Sequence, residues 1–244
     1  MNDFIRRKVE RVFYLLAGKD KEFAEIKFWR REIKNYVKWY KGEMELHDNP
    51  TPVNKVKAAT PEISAILTFF EVHQKKRYYT DLLLSTSEFQ GLKILDIGSG
   101  PFPSALCFEN TEVYSLDPLL ANYISAGYPI HCYESRGKFV QAQAEGIPFE
   151  DGFFDAVVSV NAIDHVNDFE ATAKEIKRVL KPSGRFRMHV HYHPKTKAEP
   201  HVLNDEVFLK NYSWVSGLKK FSESKQKLGT TLEGVNEMYV VWGN

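Results

Sequence analysis

The stretch Ile94-Leu95-Asp96-Ile97-Gly98-Ser99-Gly100 reads as an apolar strand that runs into a glycine-containing turn. Glycine permits the tight bend and lets backbone N–H groups come close to a ligand. Asp117 stands 21 residues after Asp96 and closes the apolar run Val113-Tyr114-Ser115-Leu116, with Pro118 beside it. A carboxylate at that distance is placed to accept hydrogen bonds from both hydroxyls of a ribose. Turn and acid together point to an adenosine-type ligand at the carboxyl edge of a sheet.

Working outward, short apolar runs alternate with turns and helical segments after Gly91. The pattern predicts strands over 93–96, 112–116, 138–142, 156–160, 186–192 and 238–242, and helical segments near 104–109, 119–126 and 169–180. Such alternation predicts an α/β fold, a mainly parallel sheet with helices on both faces. Upstream the periodicity is helical. Apolar residues over 4–16 predict one helix, and Phe23, Ile26, Trp29, Ile33, Tyr36, Val37 and Tyr40 draw an apolar stripe on a second, Lys/Arg-rich one. Residues 46–60, with Pro50 and Pro52, read as a linker or an ordered surface loop, and Pro61 opens a helix capped by Thr60 that continues to Leu84. We therefore expect an N-terminal helical extension and linker over 1–60 and a nucleotide-binding domain over 61–244.

A chain of 244 residues with 43% hydrophobic and 27% charged content has room for one such domain plus an appendage. No apolar run approaches the roughly 20 residues that cross a bilayer, and no secretory segment opens the chain, so the expected address is cytoplasmic. Cys107 and Cys132 lack metal or redox spacing and read as buried thiols. The net charge of +1 hides a surplus of +6 over residues 1–41 against −5 over the rest. That basic end is a solvated helix face or a contact for a protein or membrane surface.

Two adenosine ligands suit the glycine turn. A dinucleotide fingerprint needs its third glycine at position 103, where this chain has Pro103, and Pro101 and Phe102 would crowd a pyrophosphate. S-adenosylmethionine has no phosphates and no such need. At this point the chain resembles the class I S-adenosylmethionine-dependent methyltransferases, within the group of the ubiquinone and menaquinone biosynthesis methyltransferases. The resemblance covers about residues 92–193. It rests on the first motif at 95–100, Asp117, the loop Gln143-Ala144-Glu145-Gly146-Ile147-Pro148-Phe149, the strand-like Phe153-Phe154-Asp155-Ala156-Val157-Val158-Ser159, Asn161-Ala162-Ile163-Asp164-His165-Val166 and the run 175–184. It implies a Rossmann-like, seven-stranded, mainly parallel sheet. It also implies a cofactor site of Asp96, Gly98, Ser99, Gly100, Asp117, Pro118, Gln143, Ala144, Glu145 and Asn161. Three departures stand out: Phe102 and Ser183 replace usual glycines, and Gln143 replaces an aspartate that commonly faces the adenine amino group.

Methyl transfer is an in-line displacement, so the protein chiefly positions the acceptor and, for a hydroxyl, removes its proton. Asn161, Asp164 and His165 follow the fourth strand, while His189, His191 and His193 alternate along the fifth and share one face. His165, His191, His193 and Asp164 are the catalytic candidates, the histidines as general base. Structural histidines remain an alternative, and so does a shared ion, for which a carboxylate such as Glu199 would have to fold back; the base reading assigns no metal. The long connection 194–205 and the N-terminal helices are expected to enclose the acceptor. The leading expectation is O-methylation of a small molecule or sugar-type hydroxyl. The alternatives are C-methylation of a quinone-like or lipid acceptor, a non-catalytic partner protein docking through the stripe from Trp29 to Tyr40, and an NAD-dependent oxidoreductase. No basic patch interleaved with aromatics marks a nucleic-acid site.

Overall fold

The computed structural model describes residues 20–46, 51–196, 199–225 and 237–244. The helix expected over 4–16 lies outside them. Strands β1 (Lys93–Ile97), β2 (Glu112–Leu116), β3 (Lys138–Val140), β4 (Phe154–Val160), β5 (Leu180–Tyr192), β6 (Lys219–Ser224) and β7 (Met238–Gly243) form a seven-stranded sheet in the order β3-β2-β1-β4-β5-β7-β6. The first five run parallel, and β7 lies antiparallel between β5 and β6. The parallel core follows from strands apolar on both faces. Ile94, Val113, Ala156 and Val158 enter one core, while Leu95, Ile97, Tyr114 and Val157 enter the other.

Helices α1 (Asp20–Lys41), α2 (Pro61–Phe69), α3 (Lys75–Asp81) and α4 (Leu120–Ala126) cover the first face; α5 (Phe169–Val179) and α6 (Asp205–Tyr212) cover the second. Thr60 Oγ1 accepts the Ile63 N–H and caps α2 as expected. The helix it starts does not run on uniformly: a π-helical turn, Phe70–Gln74, separates α2 from α3. The α1 stripe is spent on the chain's own core. Ile26, Ile33, Tyr36 and Trp39 are buried, and Tyr36 stacks on Phe69 with ring centroids 4.4 Å apart. This removes it as a free docking surface.

Other expectations need correction. The helix predicted near 104–109 is a single 3₁₀ turn, Ser104–Cys107, because Phe102 and Phe108 on either side are drawn into the core. Strand β3 stops at Val140, two residues short of its predicted end. Strand β5 begins six residues early and passes through Ser183, with an irregularity before Arg185 where the pairing with β4 shifts register. Cys107 is buried, but Cys132 is exposed. Helix α6 and strand β6 carry no expectation from the sequence. Among the described residues, no helix is long and apolar enough to cross a membrane.

Candidate active site

The turn after β1 takes its shape from two glycines with positive φ, Gly98 at 70° and Gly100 at 62°. Gly98 is packed so tightly on the segment after β4 that an added Cβ would lie 2.2 Å from the Ala162 Cβ. Gly100 sits beneath α1, where Trp29 Cζ2 is the nearest atom to an added Cβ, at 4.0 Å. Phe102, at the position of a usual glycine, is 1% exposed and lies among Trp29, Tyr36, Phe69, Phe70 and Tyr128. It anchors the turn to the helical layer.

Two buried acids back this turn. Asp117 Oδ2 accepts the Gly100 N–H at 2.9 Å and Oδ1 accepts the Leu119 N–H at 2.8 Å. Each oxygen keeps acceptor capacity for a ribose hydroxyl. Burial pushes the Asp117 carboxyl up to about 6, against the two N–H donors. Asp96 is fully buried, and its Oδ1 accepts the Tyr78 hydroxyl of α3 while Oδ2 has no hydrogen-bond partner. Burial pushes it up to about 7, although the Tyr78 hydroxyl and the Ala105 amide favour its ionised form. A buried carboxylate oxygen without a partner, behind a glycine turn, fits a cationic ligand, and S-adenosylmethionine carries both a sulfonium and an ammonium.

Beyond Asp117 opens a cleft of about 260 Å³ lined by Glu22, Pro118, Asn122, Gln141, Ala142 and Gln143. Two of the cofactor-site candidates, Pro118 and Gln143, thus line one cleft. Glu145 is turned elsewhere, since its Oε1 accepts the Asn167 and Asp168 N–H groups at 2.6 and 3.0 Å and ties the loop to the start of α5. Ala144 is buried beneath it, Ser99 is half-buried in the turn, and Asn161 takes a positive φ of 52° at the end of β4.

The catalytic candidates form a second cluster at the carboxyl ends of β4 and β5. Asp164 is fully buried; His193 Nε2 lies 3.3 Å and His165 Nε2 3.7 Å from its Oδ2. Glu199 does fold back: its Oε1 is 3.7 Å from His165 Nε2 and its Oε2 3.7 Å from His193 Nδ1. His191 stacks on Tyr239 at 4.4 Å and meets the His193 ring at 4.6 Å, so the histidines share a face as the strand alternation predicts. His189 is buried deeper along the same strand, stacked on Tyr239 at 5.8 Å. Burial works to raise the Asp164 carboxyl, but the His193 and His165 imidazoles outweigh it and hold it below the usual range. The same contact with Asp164 pushes His193 up to about 9 against its burial. Burial, joined by the charge of His193, pulls His191 down.

Sequence reasoning missed Tyr78, Trp29 and Lys21. Lys21 Nζ donates to the His165 carbonyl, and Tyr123 donates to Glu25 Oε1 at 2.8 Å, so α1 reaches over the carboxyl edge from α4 to the end of β4. A helical stripe reveals that α1 packs, but not on what.

The methyltransferase domain family matches residues 95–188 of this chain, from β1 into β5. Over that stretch the chain is similar to the class I S-adenosylmethionine-dependent methyltransferases. It is 30% identical over 138 residues to the uncharacterized methyltransferase YcgJ of Bacillus subtilis, covering 55% of this chain and 54% of that protein. To the ubiquinone/menaquinone biosynthesis C-methyltransferase UbiE of Idiomarina loihiensis it is 29% identical over 136 residues, covering 52% and 53%. The crystal structure of YcgJ from Bacillus subtilis shares the fold with a TM-score of 0.55 at 17% identity, over 70% of this chain and 97% of that one. The chain spans about half the length of these curated relatives.

Proposed function

We propose that this chain moves a methyl group from S-adenosylmethionine to a hydroxyl oxygen of a small molecule or sugar-type acceptor, with His165 as the general base. The observation that carries this reading is the His165 imidazole at the carboxyl edge of the sheet, its side chain 32% exposed and flanked at 3.7 Å by both Asp164 and Glu199. It is more accessible than His191 or His193, whose side chains are 12% and 2% exposed. It can therefore reach an acceptor proton, and two carboxylates stand ready to balance the charge it gains. Asp164, held by His193, positions His165 from behind.

Gly98, Ser99 and Gly100 would hold the methionine portion, with Asp96 supplying negative charge from below; Asp117 would take the ribose, and Pro118 and Gln143 the adenine side. Ala144, Glu145 and Asn161 shape the walls of that site. Bound there, the cofactor supplies a methyl group on a sulfonium, and the protein's share is to line up the acceptor oxygen and take its proton. Residues 61–244 contain these groups. Helix α1 (Asp20–Lys41) would roof the site, with Glu199 and His201 flanking it from the other side, the His201 Nε2 donating to the Val166 carbonyl at 2.9 Å.

The name of the UbiE relative supports a second reading, C-methylation of a quinone-like or lipid acceptor. A screen of hydroxylated and quinone-like acceptors with radiolabelled S-adenosylmethionine, followed by determination of the methylated atom, tests both. The leading reading expects an O-methyl product and a fall of about 10²–10⁴ in turnover for His165→Ala, with cofactor affinity retained. A C-methyl product, or an O-methyl product made at full rate by His165→Ala, sinks it.

A further inference from the structure

Asp164, His191, His193 and Glu199 each offer one ligand atom, and the four atoms lie within 4.8 Å of one another. We infer that this cluster is a binding site for a single divalent transition-metal ion, placed beside His165 at the carboxyl edge of the sheet. Three observations carry the inference independently of any cofactor. Both oxygens of Asp164 are buried without a hydrogen-bond partner, although the residue is 0% exposed and aimed at the histidines. Its charge is offset by the His193 and His165 imidazoles at 3.3 and 3.7 Å rather than by hydrogen bonds, and a divalent ion would offset it more directly.

The second observation is the tautomer of His193. Its Nδ1 donates to the Pro194 carbonyl at 2.7 Å, which leaves Nε2 to face the Asp164 Oδ2 at 3.3 Å. Without an ion, a proton on Nε2 lies between the two atoms, and a divalent ion can take the place of that proton. A ring nitrogen fixed by a backbone carbonyl while the other faces a carboxylate is how metal-ligating histidines are commonly oriented. Around a tetrahedral ion with bonds of about 2.1 Å, ligand atoms sit about 3.4 Å apart, close to the Asp164–His193 separation and within a small side-chain adjustment of the others. The third is the support behind His191, whose Nε2 lies 3.3 Å from Glu237 Oε2 and whose ring stacks on Tyr239.

Two imidazoles and two carboxylates neutralise a divalent charge, and their mixed hardness suits ions of the manganese-to-zinc series better than calcium or magnesium. The ion's role rests on the proposed methyl transfer: an acceptor hydroxyl bound to it would lose its proton to His165 more easily. The ion itself does not depend on that reading.

The test uses the full chain, stripped with a chelator and titrated with Co²⁺ and Zn²⁺, with metal content by elemental analysis and Co²⁺ by its visible absorption. One saturable equivalent per chain is expected. Asp164→Asn and His191→Gln should each weaken it by at least the ten- to hundredfold that loss of an outer-shell partner costs. Because Asp164 is buried, Glu199→Gln on the half-exposed connection provides a variant with little folding risk, and it should also weaken uptake. Calorimetry with S-adenosylmethionine on the same samples separates the two ideas. Saturable metal uptake without cofactor binding sustains the ion and removes the methyl-transfer reading. Cofactor binding with no saturable Co²⁺ or Zn²⁺ site, or uptake unchanged in all three variants, overturns the ion and leaves methyl transfer standing.

Discussion

Replacing Asp96 by asparagine should stabilise the ligand-free protein above neutral pH while weakening its grip on S-adenosylmethionine. Asp96 is fully buried with one oxygen unpartnered, and burial raises its carboxyl to about 7 from an ordinary 3.8. A carboxyl raised on folding contributes its stability below pH ~3.9 and loses it as pH climbs through ~7, where the buried group must ionise. At pH 8 the accumulated cost is about 4 kcal/mol, because each tenfold weakening of the acid on folding is worth about 1.4 kcal/mol. Asparagine avoids that cost and keeps a carbonyl for the Tyr78 hydroxyl. Binding should show the opposite preference. From pH 5.5 to 7.0 the ionised fraction of Asp96 rises about 16-fold, and that of Asp117, raised to about 6, about fourfold. Below pH 7 the ligand's amino group stays protonated. If both carboxylates must be charged to hold the cation, the cofactor Kd tightens by about 60-fold across this range in the wild type and by only about fourfold in Asp96→Asn. Thermal unfolding against pH and calorimetry at matched ionic strength measure the two halves. A wild-type Kd that does not change with pH, or an Asp96→Asn protein no more stable than wild type at pH 8, would refute the reasoning.

Gly98→Ala puts a Cβ 2.2 Å from the Ala162 Cβ at a φ of 70°, so it should destabilise the protein by about 2–6 kcal/mol and abolish cofactor heat. Adding Ala162→Gly should recover part of that loss in a denaturant titration, and no recovery would show that the clash is not the cause. Trp29→Ala removes a ring packed on Phe102, Tyr123 and Tyr128. It should cost roughly 3 kcal/mol and loosen the cofactor, as read by unfolding midpoint and calorimetric Kd; intact stability with intact affinity would detach α1 from the site.

How much of this was legible in the sequence depended on whether the signal was local. Residues 112–116 read correctly because Val113, Tyr114 and Leu116 are apolar in a strand buried from its second residue on, and spacing alone singled out Asp117. β6, Lys-Lys-Phe-Ser-Glu-Ser over 219–224, is polar at every position but one, because it lies at the sheet edge and pairs only with β7. α6 is one short helix whose cap, Asn204 Oδ1 accepting the Val207 N–H at 2.9 Å, lies inside what reads as a loop. The site divides in the same way. The His-x-His alternation on β5 and Asp164 beside His165 are visible in one dimension. The return of Glu199 to 3.7 Å from two of those histidines is visible only once the 194–205 connection has a path.

The most consequential non-local feature is the burial of the two acids. Asp96 and Asp117 would be ordinary carboxylates on an open sheet edge. They become costly because Tyr78 seals one from below and α1 roofs the turn that the other supports, with Trp29 over Gly100 and Lys21 tied to the His165 carbonyl. The helical layer thus keeps unfavourable negative charge at the site proposed for a sulfonium nucleoside, and binding of that cation would return the stability the ligand-free protein forgoes. The same layer supplies Glu22 to the wall of the cleft. Affinity and the seating of α1 are therefore expected to be coupled quantities: a substitution that loosens Trp29, which lies over Gly100, should change cofactor exchange rates along with affinity, and unchanged rates would uncouple the two.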